Sequence, residues 1–487
     1  MVDVAIVGSG FGGLGAAIRL RQQGVRDIVI FERAGTLGGT WRDNVYPGCR
    51  CDVASDLYSF SFAPNPTWTN TYSYQPEIRQ YLEDVTDGYE LRELIEFNHD
   101  VADVSFDEAI GRWRLATNHG EVLAACVILA TGSLAELKLP DIPGLIDFEG
   151  PIMHTARWDH RVDLANKRVG VIGTGASAIQ VIPEIAPLVE SLRVFQRTPS
   201  WVLPHQGHAV MERTRRLFAG VPLAQRAMRC WRYWRNEKSV LGFVKDPRRM
   251  ETAENISRDH LARQVADPAL RERLTPSYRM GCKRVLISNV YYPTFERDSV
   301  ELVTEPIERI ERRGVRTSDG RLHEMDVLIS ATGFYVTDNP MAQKVHGLAG
   351  VSLADTFRRD LPHYKGTSFP GFPNLYMLGG PNTGLGHTSV IFMMEAQLNY
   401  AVRAIKGALA TNSLVEPKLH VARRWTRNVQ SKLPSTVWGT GCSSWYVNSE
   451  GRNTVIWPDF TFTFRRATRR FTRRDHLVQA APVASRD

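Results

Sequence analysis

The stretch VAIVGSGFGGLGAAIRLRQQGVRDIVIFE, residues 4–32, decides the fold. Its apolar run 4–7 predicts a buried strand, and the small and apolar residues 14–20 predict a helix. A second strand, 28–31, follows and ends in the acidic residue Glu32. Strand, glycine-rich loop, helix, strand and terminal acid in this order predict a β-α-β unit that binds a dinucleotide.

The loop GSGFGG, residues 8–13, contains glycines with separate physical tasks. Gly8 allows the tight turn, Gly10 lets a pyrophosphate approach the backbone, and Gly13 lets the helix pack on the strand. The phosphates would lie at the amino end of the helix, and Glu32 is placed to accept hydrogen bonds from a ribose. A glycine pattern by itself could be an ordinary turn, but the complete unit favours a dinucleotide site.

The same pattern restarts in the second quarter of the chain. A strand over 168–172 leads into GTGASA, and a helix over 179–185 and a strand over 192–195 follow. Gly173 and Gly175 match the first two glycines of the first loop, and the alanine at the third position is a permitted variant. The repeat predicts a second dinucleotide site.

The residues that end the two units predict different dinucleotides. Glu32 follows Gly8 by 24 residues, and Arg197 follows Gly173 by the same distance, with Thr198 next. An acid suits a ribose with free hydroxyls, whereas a cation and a hydroxyl suit a 2′-phosphate. We therefore expect FAD or NAD at the first loop and NADPH at the second.

The domain organisation follows from this repeat. We predict an α/β protein with two Rossmann-like dinucleotide-binding domains and a helical insertion. The segment VLISATG, 327–333, echoes ILATG at 128–132 and is interpreted as the chain crossing back into the first domain. The predicted parts are the first domain over 1–145, the second over 146–204, the insertion over 205–280, the second domain again over 281–325, and the first domain again, with a C-terminal lid and tail, over 326–487.

Composition narrows the classes of function. A chain of 487 residues, 43% of them hydrophobic, can bury several cores. The net charge of +8 is concentrated around 213–245 and in the arginine-rich tail 465–474. We interpret both as solvated basic surface rather than a nucleic-acid site, because no nucleic-acid module accompanies them. No apolar run long enough to span a membrane and no export signal are visible, and the six cysteines are expected to be reduced thiols of a cytoplasmic protein.

Two further segments carry a resemblance to a known family. GGTWRDNVYPGCRCD, residues 38–52, and FEGPIMHTARWD, residues 148–159, resemble the fingerprints of the Baeyer-Villiger monooxygenases, the class B flavoprotein monooxygenases. The second segment follows the family pattern F-x-G-x-x-x-H-x-x-x-W-D at every fixed position, including His154. Further matches extend the resemblance over nearly the whole chain, at 195–199, 282–284, 331–334, 372–376 and 380–387.

The resemblance implies FAD at the first loop, NADPH at the second, and a set of cofactor-binding residues. Those along the flavin are Gly39, Thr40, Trp41, Asp52 and Tyr58, with Asn382 also predicted to bind a cofactor. Those that hold NADPH are Thr174, Ser177, Gln180, Arg197, Thr198 and Lys283.

The resemblance includes two further residues, one in the histidine fingerprint and one near the C-terminus. His154 is predicted either to link the domains as a hinge or to contact a cofactor. Trp445 is assigned to the nicotinamide cofactor, but the residues that follow its neighbour Tyr446 read VNSEGRN and depart from the asparagine-proline-glycine lid of the best-known members.

The resemblance also implies a reaction. NADPH reduces the flavin, O2 adds to give a flavin peroxide, and the peroxide attacks a ketone carbonyl to give an ester or lactone. Arg284 resembles the family's active-site arginine, and Asp52 is its partner. A permanently charged guanidinium can stabilise negative charge without giving up a proton, and a carboxylate can fix its orientation. We expect a hydrophobic ketone and O2 as substrates and no metal site.

Three alternatives stay open. The same cofactor chemistry could oxygenate sulfur or nitrogen, or the protein could be a flavin-dependent sensing module. It could also be a flavin-dependent disulfide reductase, although the pair Cys49-x-Cys51 is more closely spaced than such enzymes require. Product analysis with ketones, sulfides and disulfides separates these functions.

Overall fold

The strands follow the apolar runs of the sequence. In the computed structural model, which describes residues 1–482, they are, in chain order, β1 (Val2–Val7), β2 (Ile28–Glu32), β3 (Ile95–Phe97), β4 (Val101–Asp107), β5 (Arg112–Thr117), β6 (Gly120–Leu129), β7 (Ile152–His154), β8 (Arg168–Ile172), β9 (Ser191–Phe195), β10 (Val202–Leu203), β11 (Leu286–Ile287), β12 (Val300–Val303), β13 (Ile307–Glu311), β14 (Gly314–Thr317), β15 (Leu322–Glu324), β16 (Val327–Ser330), β17 (Val345–His346), β18 (Leu375–Met377), β19 (Ser413–Pro417) and β20 (His476–Ala480). Residues 483–487, the end of the predicted C-terminal part, lie outside the described residues.

The α-helices flank the sheets and fill the predicted insertion. They are α1 (Phe11–Gln22), α2 (Thr40–Asp43), α3 (Gln75–Gly88), α4 (Ala178–Ile185), α5 (Glu212–Gly220), α6 (Pro222–Glu237), α7 (Met250–Gln264), α8 (Pro268–Leu274), α9 (Tyr291–Thr294), α10 (Leu353–Arg359), α11 (Val390–Ala410), α12 (Leu419–Gln430) and α13 (Thr461–Thr468). Over residues 1–482, no helix has both the length and the apolar character that crossing a membrane requires.

The first sheet is built around β1. Its strand order is β17-β4-β5-β6-β1-β2-β3, with β18 also paired to β6. Strand β1 runs parallel to both neighbours, so that Val7 lies opposite Phe31 on β2 and Leu129 on β6. Residues 4–7 are buried, as expected of a central parallel strand covered on both faces. The glycine loop therefore leaves the sheet at the carboxyl end of a central strand, where dinucleotides bind in such folds.

The second sheet is entirely parallel, with the order β12-β9-β8-β16-β7. Strand β16 pairs with β8 and β7, so residues 327–330 still belong to the second domain. The predicted return to the first domain at residue 326 is therefore wrong. The chain rejoins the first sheet only at β17, which pairs with β4. In both 128–132 and 327–333 a strand, β6 or β16, ends just before a glycine turn, and this local pattern fits either sheet.

The predicted helical stretch 205–280 contains α5 to α8. It leaves the second domain after β10 and returns at β11, and these two strands pair in parallel, with Val202 opposite Leu286. The insertion thus starts and ends at neighbouring points, which leaves the order of the second sheet undisturbed.

The cysteines differ from the expectation of six reduced thiols. Cys282 and Cys442 form a disulfide across a sequence separation of 160 residues, whereas the other four cysteines are free. The expectation is wrong for this pair, because spacing along the chain carries no information about a contact made by folding. The bond joins the segment that carries Arg284 to the segment that precedes Trp445.

Candidate active site

The loop after β1 requires glycine at two positions. Gly8 has φ +104°, and a side-chain carbon there would lie 2.7 Å from the carbonyl oxygen of Ala130. A side-chain carbon at Gly13 would lie only 1.8 Å from the Gly8 carbonyl oxygen. Helix α1 follows Gly10 with no side-chain cap and no acidic residue in its first turn. The N–H groups of that turn are therefore available to a pyrophosphate, so the loop fits the predicted dinucleotide.

Glu32 lies buried at the end of β2, beside this loop. One carboxylate oxygen accepts hydrogen bonds from the backbone N–H and the hydroxyl of Ser9, at 3.1 and 2.7 Å, and the other accepts from Ala34 N–H and Arg42 Nη1, at 3.0 and 2.6 Å. Burial acts to raise the pKa of Glu32, but the hydrogen bonds from Ser9 and the charge of Arg42 outweigh it and lower the pKa. Glu32 therefore stays ionised, and a ribose hydroxyl would bind it by replacing one of the two side-chain donors.

The predicted flavin residues of the GGTW turn lie against the glycine loop. Gly39 has φ +53°, and a side-chain carbon there would lie 3.3 Å from the Cα of Gly10. Thr40 begins α2. The Trp41 indole N–H donates to the Tyr58 hydroxyl at 3.1 Å, and their rings meet edge to face with centroids 5.5 Å apart. The turn and the aromatic pair thus form one continuous border next to the first loop.

The loop after β8 resembles the loop after β1, but it leaves more open space in front of its second glycine. Gly173 has φ +115°, and a side-chain carbon there would lie 2.6 Å from the Ala331 carbonyl oxygen, whereas one at Gly175 would meet nothing within 4 Å. Helix α4 begins after Ser177 without a side-chain cap or an acidic first turn. The Thr174 hydroxyl donates to the Thr198 carbonyl at 3.0 Å, which holds the loop against the end of β9. The free space in front of Gly175 suits a second pyrophosphate.

The side chain of Gln180 forms hydrogen bonds with the first domain. Its side-chain oxygen accepts hydrogen bonds from the Tyr46 hydroxyl at 2.9 Å and the Arg50 N–H at 3.2 Å, and its amide nitrogen donates to the Arg50 carbonyl at 3.1 Å. The predicted contact of this side chain with NADPH stays a prediction. Gln180 instead connects the second domain to the segment 38–52 of the first.

Two cations lie together beside the second loop. Arg197 is exposed, and in the described part of the chain neither it nor Lys283 has a carboxylate within ion-pair distance. The Lys283 ammonium lies 4.9 Å from the centre of the Tyr278 ring. Burial and the charge of Arg197 both lower the pKa of Lys283. An anion would relieve the repulsion between the two cations, so the pair fits the predicted 2′-phosphate.

Arg284 and Asp52 form an ion pair although they are 232 residues apart in the sequence. Nε and Nη2 of Arg284 lie 2.9 and 2.7 Å from the same carboxylate oxygen, and Nη1 donates to the Leu385 carbonyl at 3.1 Å. Both side chains remain 26% exposed. The charge of Asp52 raises the pKa of Arg284 further above its already high value. The guanidinium is thus permanently charged, held from two sides and still accessible.

Comparison with known proteins identifies the family. A sequence model of the pyridine nucleotide-disulphide oxidoreductases matches residues 5–211. A Baeyer-Villiger monooxygenase from Streptomyces coelicolor is 45% identical over 480 residues, which cover 98% of this chain and 92% of the relative. The chain belongs to the Baeyer-Villiger monooxygenase family. This membership confirms the predicted monooxygenase function and the resemblance of the fingerprint segments.

Solved structures agree with this family. The cyclohexanone monooxygenase from Rhodococcus sp. Phi1 bound to NADP+ superposes with a TM-score of 0.87 at 29% identity, covering 99% of each chain. A structure described as OTEMO in complex with FAD and NADP superposes with the same TM-score at 26% identity, covering 96% of this chain and 97% of the other. The predicted fold class, with two Rossmann-like domains, and the predicted cofactors FAD and NADPH are confirmed for this Baeyer-Villiger monooxygenase.

His154 of the Baeyer-Villiger fingerprint connects two segments of the chain. Its Nδ1 accepts a hydrogen bond from the Ala156 N–H at 3.1 Å, so Nε2 carries the proton and donates to the Gly333 carbonyl at 3.1 Å. Burial lowers the pKa of His154, which keeps the ring neutral. Gly333 lies where the chain leaves β16 for the first domain. This geometry favours the hinge interpretation of His154 over a cofactor contact.

The side chain of Asn382 in the Baeyer-Villiger site binds other parts of the protein, and its predicted contact with a cofactor stays a prediction. Its side-chain amide donates to the carbonyls of Asn453 and Ile456, both at 3.0 Å, and its oxygen accepts from Gln430 at 3.2 Å. The side chain is therefore used to hold the segment 453–456 rather than left free for a cofactor. Trp445 is 47% exposed and packs on Tyr446 with ring centroids 4.3 Å apart, and its assignment to the nicotinamide stays a prediction.

Three groups in this Baeyer-Villiger site were missed from the sequence. Arg42 binds Glu32, the Leu385 carbonyl binds Arg284, and Tyr446 lies buried next to the Arg284–Asp52 pair. Burial raises the pKa of Tyr446 to about 12. Arg42 directly follows the matched GGTW turn and could have been found there. A backbone carbonyl carries no sequence signal.

The thiols argue against the disulfide-reductase alternative. Cys49 and Cys51 are buried and free. Burial raises the pKa of Cys49 to about 12 and that of Cys51 well above its ordinary value. Because the thiolate is the reactive form, neither cysteine is suited to thiol-disulfide exchange.

Proposed function

We propose that this Baeyer-Villiger monooxygenase converts a hydrophobic ketone into an ester or lactone, with Arg284 and Asp52 as the charged centre of its site. The observation that carries the proposal is the ion pair between these residues, in which Asp52 belongs to the segment of the predicted flavin residues. One oxygen atom of O2 enters the bond beside the carbonyl, and the other leaves as water with the two electrons of NADPH. FAD, when bound, supplies the oxygen-transferring chemistry.

Arg284 is positioned to stabilise the negative charge that develops as the carbonyl is attacked. Asp52 and the Leu385 carbonyl hold its guanidinium in place before the reaction, so no reorganisation is needed when the charge appears. Its raised pKa prevents it from losing a proton to the oxygen anion. Arg284 therefore acts through its charge, and Asp52 acts by orienting Arg284.

The surroundings of this pair favour an apolar substrate. The loop that supplies the Leu385 carbonyl continues into Gly386, where a side-chain carbon would lie 3.2 Å from Phe243 and 3.3 Å from Trp438. Tyr446 is buried close enough to Arg284 for the charge of the guanidinium to act on its pKa. Aromatic side chains thus lie close to the segment that holds Arg284, which supports a hydrophobic ketone rather than a charged one.

The test of this function is oxygen labelling. The purified, FAD-loaded protein is mixed with NADPH and a panel of aliphatic, cyclic and aromatic ketones under 18O2, and products are analysed by mass spectrometry. We expect one labelled oxygen atom in the ester or lactone from at least one ketone. Hydrogen peroxide as the sole product with every ketone, or labelled sulfoxide from a sulfide with no ester from any ketone, would contradict the proposal.

Arg197→Ala is expected to weaken the use of NADPH selectively. Charge-assisted hydrogen bonds contribute about 1.5–3 kcal/mol, so kcat/KM with NADPH should fall about 10- to 150-fold. NADH lacks the 2′-phosphate, so its kcat/KM should change less than about threefold. The measurement is anaerobic flavin reduction with each cofactor. The control is Arg312→Ala, because Arg312 lies exposed between β13 and β14 and forms an ion pair with Glu149. Equal losses with both cofactors would show that Arg197 does not recognise the phosphate.

A further inference from the structure

Helix α6 of the insertion is amphipathic, but its apolar face is exposed and its polar face packs on the protein. An ordinary surface helix does the opposite. Its side chains Leu223, Trp231 and Trp234 are 71%, 57% and 51% exposed. Their spacing of eight and three residues places them on one face of the helix. The opposite face, which packs on the first domain, carries polar residues such as Gln225 and Arg232.

Polar contacts fix this orientation. The Gln225 amide donates to the Asn65 carbonyl at 2.6 Å, Arg229 Nη2 donates to the Ser59 carbonyl at 3.1 Å, and Arg232 Nη1 lies 2.9 Å from the Asp56 carboxylate. Rotating α6 to bury its tryptophans would leave buried Asp56 without its cation, which is strongly unfavourable. The outward position of the apolar face is therefore built into the docking of the helix.

The apolar face continues onto the C-terminal helix α13. Phe462 is 40% exposed, and its ring lies 5.9 Å from that of Trp234. We call the surface formed by Leu223, Trp231, Trp234 and Phe462 the aromatic stripe. Contiguous exposed apolar surface of this kind marks an interaction site on a soluble protein.

Basic residues border the aromatic stripe on both helices. The Arg235 guanidinium lies 5.1 Å from the centre of the Trp231 ring. The acidic residue in α6, Glu237, is buried, and α13 contains none. Parts of the two basic regions of the sequence, on α6 and on α13, thus lie next to this surface. The exposed cations on these two helices and directly after α6 are Arg226, Arg235, Lys238, Arg465 and Arg466.

We propose that the aromatic stripe docks this protein on an anionic phospholipid bilayer. Tryptophan and leucine on one face, bordered by arginine and lysine, are the composition of helices that lie in the plane of a bilayer interface. The indole rings insert at the level of the headgroups, and the cations meet the lipid phosphates. A second copy of the chain fits less well, because a two-fold contact across the stripe would bring the basic borders together.

Vesicle sedimentation tests the proposal. The FAD-loaded protein is mixed with vesicles of phosphatidylglycerol and phosphatidylcholine, or of phosphatidylcholine alone, and the bound fraction is measured. We expect binding to the anionic vesicles and about tenfold or more weaker partitioning of the double variant W231S/W234S. Leu223→Ser should weaken partitioning, whereas Leu188→Ser, a matched change at a leucine that is 57% exposed on the second domain, should not. The FAD content of each variant reports that it is folded.

Three results would overturn the proposal. The first is no preference for anionic vesicles. The second is equal partitioning of W231S/W234S and the wild type, which would mean that the basic residues bind without the stripe. The third is a dimer in sedimentation velocity that W231S/W234S dissociates, with no vesicle binding, which would make a second copy the occupant. Because vesicle binding requires neither NADPH nor a ketone, these results are independent of the proposed reaction.

Discussion

Arg284→Ala is expected to lower the rate of ester formation by about 100- to 1,000-fold, the usual cost of removing one preorganised group that stabilises developing negative charge. Reduction of the flavin by NADPH should continue at close to the wild-type rate, because Arg197 and Lys283, the cations proposed to bind NADPH, are untouched. NADPH consumption should then yield hydrogen peroxide in place of ester. Product chromatography, peroxide assay and anaerobic stopped-flow reduction measure the three rates.

Two further variants test whether the loss of ester formation is specific to the Arg284 guanidinium. Arg284→Lys keeps a positive charge, but a single ammonium cannot contact both Asp52 and the Leu385 carbonyl as the guanidinium does, so ester formation should fall to an intermediate level. Arg312→Ala removes an exposed guanidinium from the surface and should leave every rate unchanged. If Arg284→Ala formed ester within tenfold of the wild-type rate, the charged centre would have to lie elsewhere.

Gly13→Ala is expected to yield protein that contains less than about a tenth of the normal FAD or fails to fold. The added carbon would lie 1.8 Å from the Gly8 carbonyl oxygen, so helix α1 must move away from β1. Such overpacking typically costs about 1–3 kcal/mol, and here the movement also displaces the N–H groups that would face the pyrophosphate. The FAD-to-protein absorbance ratio and the thermal unfolding temperature measure the effect.

Gly88 and Gly175 provide the comparisons. A side-chain carbon at either position meets no protein atom within 4 Å. Gly88→Ala, at the end of α3, should therefore retain full FAD and unchanged stability. Gly175→Ala should also retain FAD but bind NADPH more weakly, because the open space in front of it is where the second pyrophosphate would approach. Normal FAD content in Gly13→Ala would show that the loop tolerates the displacement.

Sequence predicted much of the fold because the deciding interactions are local. The features that decide the first unit all lie within about 30 residues of one another: the apolar run 4–7, the glycines after it and the acid at the end of β2. The structure reproduces that order of elements. The predicted boundary at residue 326 is wrong because it, too, was drawn from a local pattern. A strand that ends in a glycine turn looks the same whichever sheet it joins, and β16 joins the second sheet.

For the candidate site, the structure agrees with the sequence prediction at some residues and shows other contacts at others. The pairing of Arg284 with Asp52 was expected from the resemblance, and the structure brings these residues together. Gln180 and Asn382 were expected at cofactors, but their amides satisfy backbone groups of distant segments. An amide side chain forms equally good hydrogen bonds with a carbonyl or with a ligand, so its residue type does not reveal the partner.

The sequence by itself determined that there are two dinucleotide loops, and it distinguished them by Glu32 and Arg197, because glycine conformation and charge are properties of single residues. Only the tertiary structure decided which groups surround Arg284, that Cys282 pairs with Cys442, and that α6 presents its tryptophans outward. These features depend on contacts between segments far apart in the chain. Helical periodicity predicts that α6 has an apolar face, but the side from which the first domain binds it depends on Asp56, Ser59 and Asn65.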